Sequence, residues 1–150
     1  MAENNKSKLG ILIPGMGSVA ITFICGVIAC NKGLSKPIGS MTQMGSIRLG
    51  KRTENRNPLI KDFVPTVDMN DLMFTGWDIN QENVYDIALK SKVLKNDLLE
   101  ELKPHLQKIN VLKGVFDKKY VRRLNGNWVK SGENKLDLAK QVMADIESFN

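Results

Sequence analysis

The sequence is poor in the residues that build metal and disulfide frameworks: one histidine and two cysteines in 150 residues. Cys25 and Cys30 lie five apart in an apolar run, a spacing that points them in different directions on a helix, so no intrachain disulfide is expected. No second cysteine pair exists to complete a zinc site, and His105, within Lys103-Pro104-His105-Leu106, reads as a surface residue. These shortages predict no metal site and a reducing compartment. Two local absences matter more. No charged side chain occurs from Leu9 to Asn31, and no acid occurs between Glu3 and Glu54.

What is present suits one soluble domain with a real core: 42% hydrophobic and 25% charged residues exclude a disordered or collagen-like chain. The net charge of +6, with a pI near 9.4, raises the question of an anionic partner. The basic residues are spread from Lys6 to Lys140, however, and most have acids nearby. Even the densest cluster, Lys118, Lys119, Arg122 and Arg123, has Asp117 beside it. Solvated surface is the expected reading, with no nucleic acid as partner; a phosphate-bearing ligand accounts for the remainder.

The uncharged run LGILIPGMGSVAITFICGVIACN admits three readings. Its length permits a membrane span of about 20 residues. Lys6 and Lys8 before it, and Val27-Ile28-Ala29-Cys30 at its end, also suit the signal peptide of a secreted lipoprotein over residues 1–30. The third reading is a strand, a tight turn and a helix. Pro14, Gly15 and Gly17 interrupt the run near its start, and this favours the third. Leu9 to Ile13 suits a buried parallel strand, residues 18 to about 31 a buried helix, and Gly33 a stop.

Gly15-Met16-Gly17-Ser18-Val19-Ala20 is then a G-x-G-x-x-A fingerprint. Gly15 allows a sharp turn off the strand, Gly17 lets backbone approach a pyrophosphate, and Ala20 keeps the helix near the sheet. The unpaired N–H groups of the first helical turn, with the helix dipole, would face the phosphates. The acid that should hold the adenosine ribose about 20 residues later is missing.

The middle of the chain supplies one. Pro37 to about Leu49 suggests short extended pieces, Ile38–Gln43 and Ser46–Leu49, and residues 50–71 a long polar insertion loop broken by Pro58 and Pro65. Leu72-Met73-Phe74-Thr75 resumes a strand that runs into Gly76-Trp77-Asp78. An acid at the carboxyl end of a second strand sits where ribose recognition occurs in a doubly wound sheet, so Asp78 is the displaced acid. A second role is open for it: with Asn80, it could cap the next helix. Trp77 suits packing more than ligand contact, and Met41, Met44, Met69 and Met73 suit core or gap filling.

The run GSMTQMGSIRLGKRTENRNP, then LMFTGWDIN, then VYDIALKSKVLKNDLLEELKPHLQKI, resembles the myo-inositol-1-phosphate synthases from Leu9 onward. The resemblance implies an NAD-dependent isomerase with a Rossmann-type domain and a second, catalytic and tetramerising domain. It implies glucose 6-phosphate as substrate, oxidised, enolised, closed by an intramolecular aldol step and reduced again. Carried over by position, it makes Gly15, Met16, Gly17, Ser18, Val19 and Ala20 the phosphate loop, Asp78 the ribose acid, and Ile79 its neighbour. Relatives carry Gly-Gly-Asn-Asn in the loop, so side-chain amide contacts are lost here while backbone contacts remain. Relatives also use a Gln and an Arg after the next strand, where this chain offers only Asn125.

Asn83 to about Gln107 has the spacing of one long or broken amphipathic helix that Pro104 ends or kinks; Val111 to Phe116 suits another extended piece. A final helix starts at Lys135, with Leu138, Val142, Ile146 and Phe149 on one face. The expected architecture is α/β: a disordered 1–8, then an incomplete Rossmann-like doubly wound parallel sheet over 9–150. No catalytic residue is assigned in it. The resemblance points to the NAD-binding part of a cytoplasmic, homo-oligomeric inositol phosphate synthase with no membrane association. A free-standing dinucleotide-binding module and the secreted lipoprotein are the alternatives.

Overall fold

A computed structural model describes residues 8–149. The disorder expected for 1–8 therefore lies, Lys8 apart, outside the described residues. The uncharged run resolves as a strand β1, Leu9–Pro14, a glycine turn, and a helix α1, Ser18–Asn31. Two glycines bound α1. Gly17 precedes it in extended conformation, the Ile21 N–H bonds back to the Gly17 carbonyl at 3.0 Å, and Gly33 closes it at φ +72°. Leu34 N–H to Ala29 O (2.9 Å) and Gly33 N–H to Cys30 O (3.0 Å) complete a Schellman stop, which needs a left-handed residue that glycine adopts without strain.

A second strand, β2 (Leu72–Asp78), lies parallel to β1, with Leu9 opposite Leu72 and Pro14 opposite Trp77. The third, β3 (Val111–Lys113), lies parallel on the other side of β2, with Gly76 opposite Val111. The order is β1-β2-β3, and each parallel pairing requires a crossover. Helices α2 (Met41–Met44) and α3 (Ile60–Phe63), with 3₁₀ turns at Arg52–Glu54 and Met69–Asp71, lie between α1 and β2. Helices α4 (Val84–Ser91) and α5 (Asn96–Leu106) join β2 to β3, and α6 (Lys135–Glu147) follows β3.

Alternation along the strands sorts the helices onto two faces. Ile13, Phe74 and Val111 pack on the core formed by Ile21, Ile24 and Cys25 of α1, Val84 and Ala88 of α4, and Leu99, Leu102 and Leu106 of α5. The residues between them face α6. The Phe149 ring covers Gly10, where an added Cβ would lie 2.7 Å away. The Trp77 indole N–H donates to Asp145 Oδ2 at 2.6 Å, and Lys130 Nζ meets the same oxygen at 2.8 Å. Helices on both faces of a parallel sheet make the fold doubly wound. Unlike α1, α4 and α5, α6 contains no fully buried residue.

The expected extended pieces at Ile38–Gln43 and Ser46–Leu49 need correction. Met41–Met44 is a helical turn, started by Ser40, and Ser46 makes only an isolated bridge to Leu59. Met-Thr-Gln-Met carries no period-two pattern, and short segments without one are decided by their turns. Met41 and Met44 are exposed at 71% and 47%, so they do not fill a core. The helical stretch 83–107 is broken: Lys92 takes a left-handed conformation after α4, and α5 runs two residues beyond Pro104. His105 is exposed, with Nε2 3.2 Å from Lys32 Nζ, and both cysteines are free thiols.

Burial pushes the Cys25 thiol from its ordinary 9.0 up to about 11. The unfolded chain therefore loses this proton first, so stability is intact below pH 9 and falls as pH rises towards 11. Between pH 8.5 and pH 10.5, both chosen to bracket that window, we expect the wild type to lose on the order of 2 kcal/mol more than Cys25→Ala in urea titrations. Equal losses would remove Cys25 from the pH dependence.

Candidate cofactor-binding crevice

The turn between β1 and α1 is held from inside. Gly15 sits at φ +98°, and its N–H donates to the Trp77 carbonyl at 2.8 Å, tying the turn to the end of β2. Met16 is fully buried and belongs to the main core. It rests against Gly76: a Cβ there would lie 2.3 Å from the Ile13 carbonyl oxygen and 2.7 Å from Met16 Sδ. Gly76 is thus a packing glycine, and the GWDI strand end has no room for anything else at that position. Gly17 is different. Its φ of −84° is open to any residue, and a Cβ there would meet nothing within 4 Å. Nothing within the fold demands glycine at 17, whereas a ligand approaching the backbone would.

The amino terminus of α1 is open to an anion. Gly17 offers no side-chain cap, the first turn has no acid, and the first helical bond comes from Ile21. The N–H groups of Ser18, Val19 and Ala20 therefore have no partner within the helix. Val19 is 87% exposed, so its side chain does not screen this end. Three orphan donors and the positive end of the helix dipole suit a phosphate.

Beside it, the carboxyl ends of all three strands enclose a crevice of about 570 Å³. Pro14 and Gly15 come from the end of β1, Trp77 to Asn80 from β2, and Gly114 to Phe116 from β3. Val121, Leu124 and Val142 complete an apolar lining. Asp78 Oδ1 accepts from the Asn80 N–H at 2.9 Å and the Asn80 side-chain amide at 3.3 Å, which fixes the carboxylate at the strand end. Gly114 N–H donates to Asp78 O and Trp128 N–H to Ile79 O, both at 2.8 Å, so the backbone behind the carboxylate is pinned as well. Capping falls elsewhere: Asn83 Oδ1 accepts from Asp86 N–H at 2.9 Å and starts α4.

Of the residues assigned from sequence, Gly15, Asp78 and Ile79 share the crevice wall. Ser18 and Val19 border a separate shallow pocket with Thr22, Phe23 and Val93, while Met16 turns into the core. Gly17 lies in the turn before α1, and Ala20 in the first turn of that helix. Asn125 is exposed and accepts from Lys118 Nζ at 2.8 Å, away from the crevice wall. Trp77 proves to be both packed and a wall residue. Sequence reasoning missed Phe116, Val121, Leu124 and Val142. The strand order offered a signal for Phe116, because the residues after β3 must emerge beside those after β2; Val142 lies on the α6 stripe without a cue to its target.

A glycine turn feeding an uncapped helix, and an acid ending the adjacent parallel strand, define an α/β domain of the dinucleotide-binding class. Residues 9–150 match the family model described as myo-inositol-1-phosphate synthase. Inositol-3-phosphate synthase 1 of Bacteroides thetaiotaomicron is 41% identical over 143 residues, covering 95% of this chain and 33% of that protein. Inositol-3-phosphate synthase of Brassica napus is 33% identical over 157 residues, covering 95% and 31%. The crystal structure of the Caenorhabditis elegans inositol-3-phosphate synthase superposes with a TM-score of 0.78 at 27% identity, covering 96% of this chain and 32% of that one. The chain belongs to the myo-inositol-1-phosphate synthase family and spans about a third of the length of these relatives.

The family match takes in the uncharged run from its first residue, as β1, turn and α1. The run is part of the domain and not a lipoprotein signal. No helix among the described residues is long and apolar enough to cross a membrane.

If Met16 anchors the turn, Met16→Ala should cost about 2–5 kcal/mol in urea unfolding, as for other fully buried methionines. A loss below about 1 kcal/mol would show that the turn is held by its backbone bond alone.

Proposed function

We propose that this chain binds NAD across the carboxyl ends of β1, β2 and β3, as the cofactor-binding part of an inositol phosphate synthase. The observation that carries this is Gly17: a glycine that the fold does not require, one residue before three unpaired N–H groups and beside an apolar crevice bearing one fixed carboxylate. The pyrophosphate would sit on the turn from Gly15 to Ala20, held by backbone N–H groups rather than side chains. Asp78 would accept both ribose hydroxyls, with Ile79 packed beside them and the apolar lining against the adenine. An acid in that place favours the free ribose over a phosphorylated one, hence NAD.

Family membership supports the wider reading. The complete enzyme would convert glucose 6-phosphate to inositol phosphate, and NAD would supply a hydride acceptor that is regenerated within the turnover. The residues of this chain bind and orient the cofactor and exclude water from its adenosine half. We assign none of them a role in moving protons on the sugar. The relatives' further length would supply those groups, and assembly of the whole enzyme as a homo-oligomer in the cytoplasm belongs to the same reading.

Calorimetry with NAD tests the binding site. Gly17→Val should weaken binding at least about tenfold without loss of stability, since a side chain there touches only the ligand's space. Unchanged affinity would take the turn out of the site. Asp78→Asn keeps the oxygen that accepts from Asn80 but loses the charge. It should weaken NAD by about 10–100-fold, corresponding to the about 1.5–3 kcal/mol of hydrogen bonds to a charged group, with little change in Tm. A lowered Tm with normal NAD binding would make Asp78 a structural residue.

The 150-residue chain, given glucose 6-phosphate and NAD, should release no inositol phosphate. Product formation would mean that the proton-transfer groups lie among the residues described here.

A further inference from the structure

Residues 37–67 form an arm that is ordered without a core. Its backbone bonds run within it: Ile47 N–H to Pro58 O at 3.0 Å, Leu49 N–H to Arg56 O at 2.9 Å, and Ile60 N–H to Gly45 O at 2.9 Å. Helices α2 and α3 pack on one another, yet neither contains a buried residue. Ile38, Met41 and Phe63 are 83%, 71% and 55% exposed, with Met44 and Val64 exposed beside them. Soluble monomers rarely leave so concentrated an apolar surface uncovered.

Charge decides between occupants. The segment from Lys36 to Val67 carries six lysines and arginines against Glu54 and Asp62, which is four of the net six positive charges of the whole chain. A second copy would bring two such arms towards each other and repel. The relatives, by contrast, have about twice as much polypeptide again outside the matched segment. Building on the reading of this chain as the cofactor-binding part of a synthase, we infer that the arm is the docking surface for that remaining polypeptide. The contacting face would be apolar, with an acidic rim. Without it the arm holds its fold by its own hydrogen bonds and the packing of α2 on α3; with it, Ile38, Met41 and Phe63 become buried.

The test joins the unmatched part of the Bacteroides thetaiotaomicron synthase after Asn150 and compares amide hydrogen exchange in the chimera with that in the 150-residue chain. Exchange across 37–67 should slow by about tenfold or more in the chimera. Ile38→Glu and Phe63→Glu should lower the Tm of the chimera and leave that of the 150-residue chain unchanged, because both side chains are solvent-facing there. Equal exchange in both proteins overturns the proposal. So does protection of the arm in the chain alone accompanied by a sedimenting dimer, which would make a second copy the occupant. Should the chimera not fold, the same polypeptide is added in trans: binding that both substitutions weaken supports docking, and binding that ignores them, or no binding, overturns it. NAD affinity of the 150-residue chain, measured in parallel, reports on the crevice separately from the arm.

Discussion

The seating of Met16 on Gly76 is the contact on which the candidate site depends. A methionine between two turn glycines faces into the main core, where it is fully buried against α1 and β2. That is possible only because the opposing strand residue has no Cβ, the Ile13 carbonyl and Met16 sulfur already occupying its place. The consequence is mechanical. The turn cannot move away from the sheet without opening a cavity in the core, so the three unpaired N–H groups of α1 are presented at a fixed height above the strand ends. The bond from Gly15 N–H to Trp77 O adds a second tie to the same strand. One strand, Leu72–Asp78, therefore positions both the turn and the carboxylate.

Much of this was legible in the sequence because glycine and proline leave periodic signals where they interrupt an apolar run. Pro14, Gly15, Gly17 and Gly33 bounded the first strand and helix to within a residue. Asp78 could be placed at a strand end because Leu-Met-Phe-Thr precedes it without a break. The segment from Pro37 to Leu49 was less readable, since a four-residue helix has too few residues to show a period and its methionines look like core from composition alone. Their exposure follows from what the arm packs against, which no local pattern encodes. The polar node of Trp77, Asp145 and Lys130 was also hidden, as it joins residues 68 apart in sequence at its first bond.

That node explains how α6 is held. The helix buries no residue completely, so apolar packing gives it little, and Phe149, two residues past its end, covers Gly10 of the sheet. Asp145 instead accepts from an indole and an ammonium at once, with Lys130 and Asp145 largely shielded from water. Such a pair gains less stability than an apolar contact of the same size because both charges lose hydration, but its geometry is directional. It fixes where Val142 stands relative to Trp77, and both line the crevice. The sheet's second face is thus specified more than it is stabilised.

The two faces of the sheet accordingly carry different duties. The face under α1, α4 and α5 is a continuous apolar core that can seat a turn rigidly, whereas the face under α6 carries the Trp77–Asp145–Lys130 node at the strand ends and Phe149 over Gly10. An open α/β sheet places ligands where the strand ends leave a gap between such layers. Here the gap is bounded by backbone at Gly15 and Gly114 and by side chains at Trp77, Val121 and Val142. On the proposed NAD reading, backbone would meet the phosphates, the part that every dinucleotide shares, while side chains and the lone carboxylate of Asp78 would meet the adenosine end. The walls contain a single ionisable group, Asp78, so the net positive charge of the chain lies outside the crevice, and phosphates bound as proposed would rely on helix and backbone dipoles. That arrangement would hold an anion without supplying a lysine, and it leaves Asp78 free of a competing cation in the crevice wall, where the proposal puts the ribose hydroxyls.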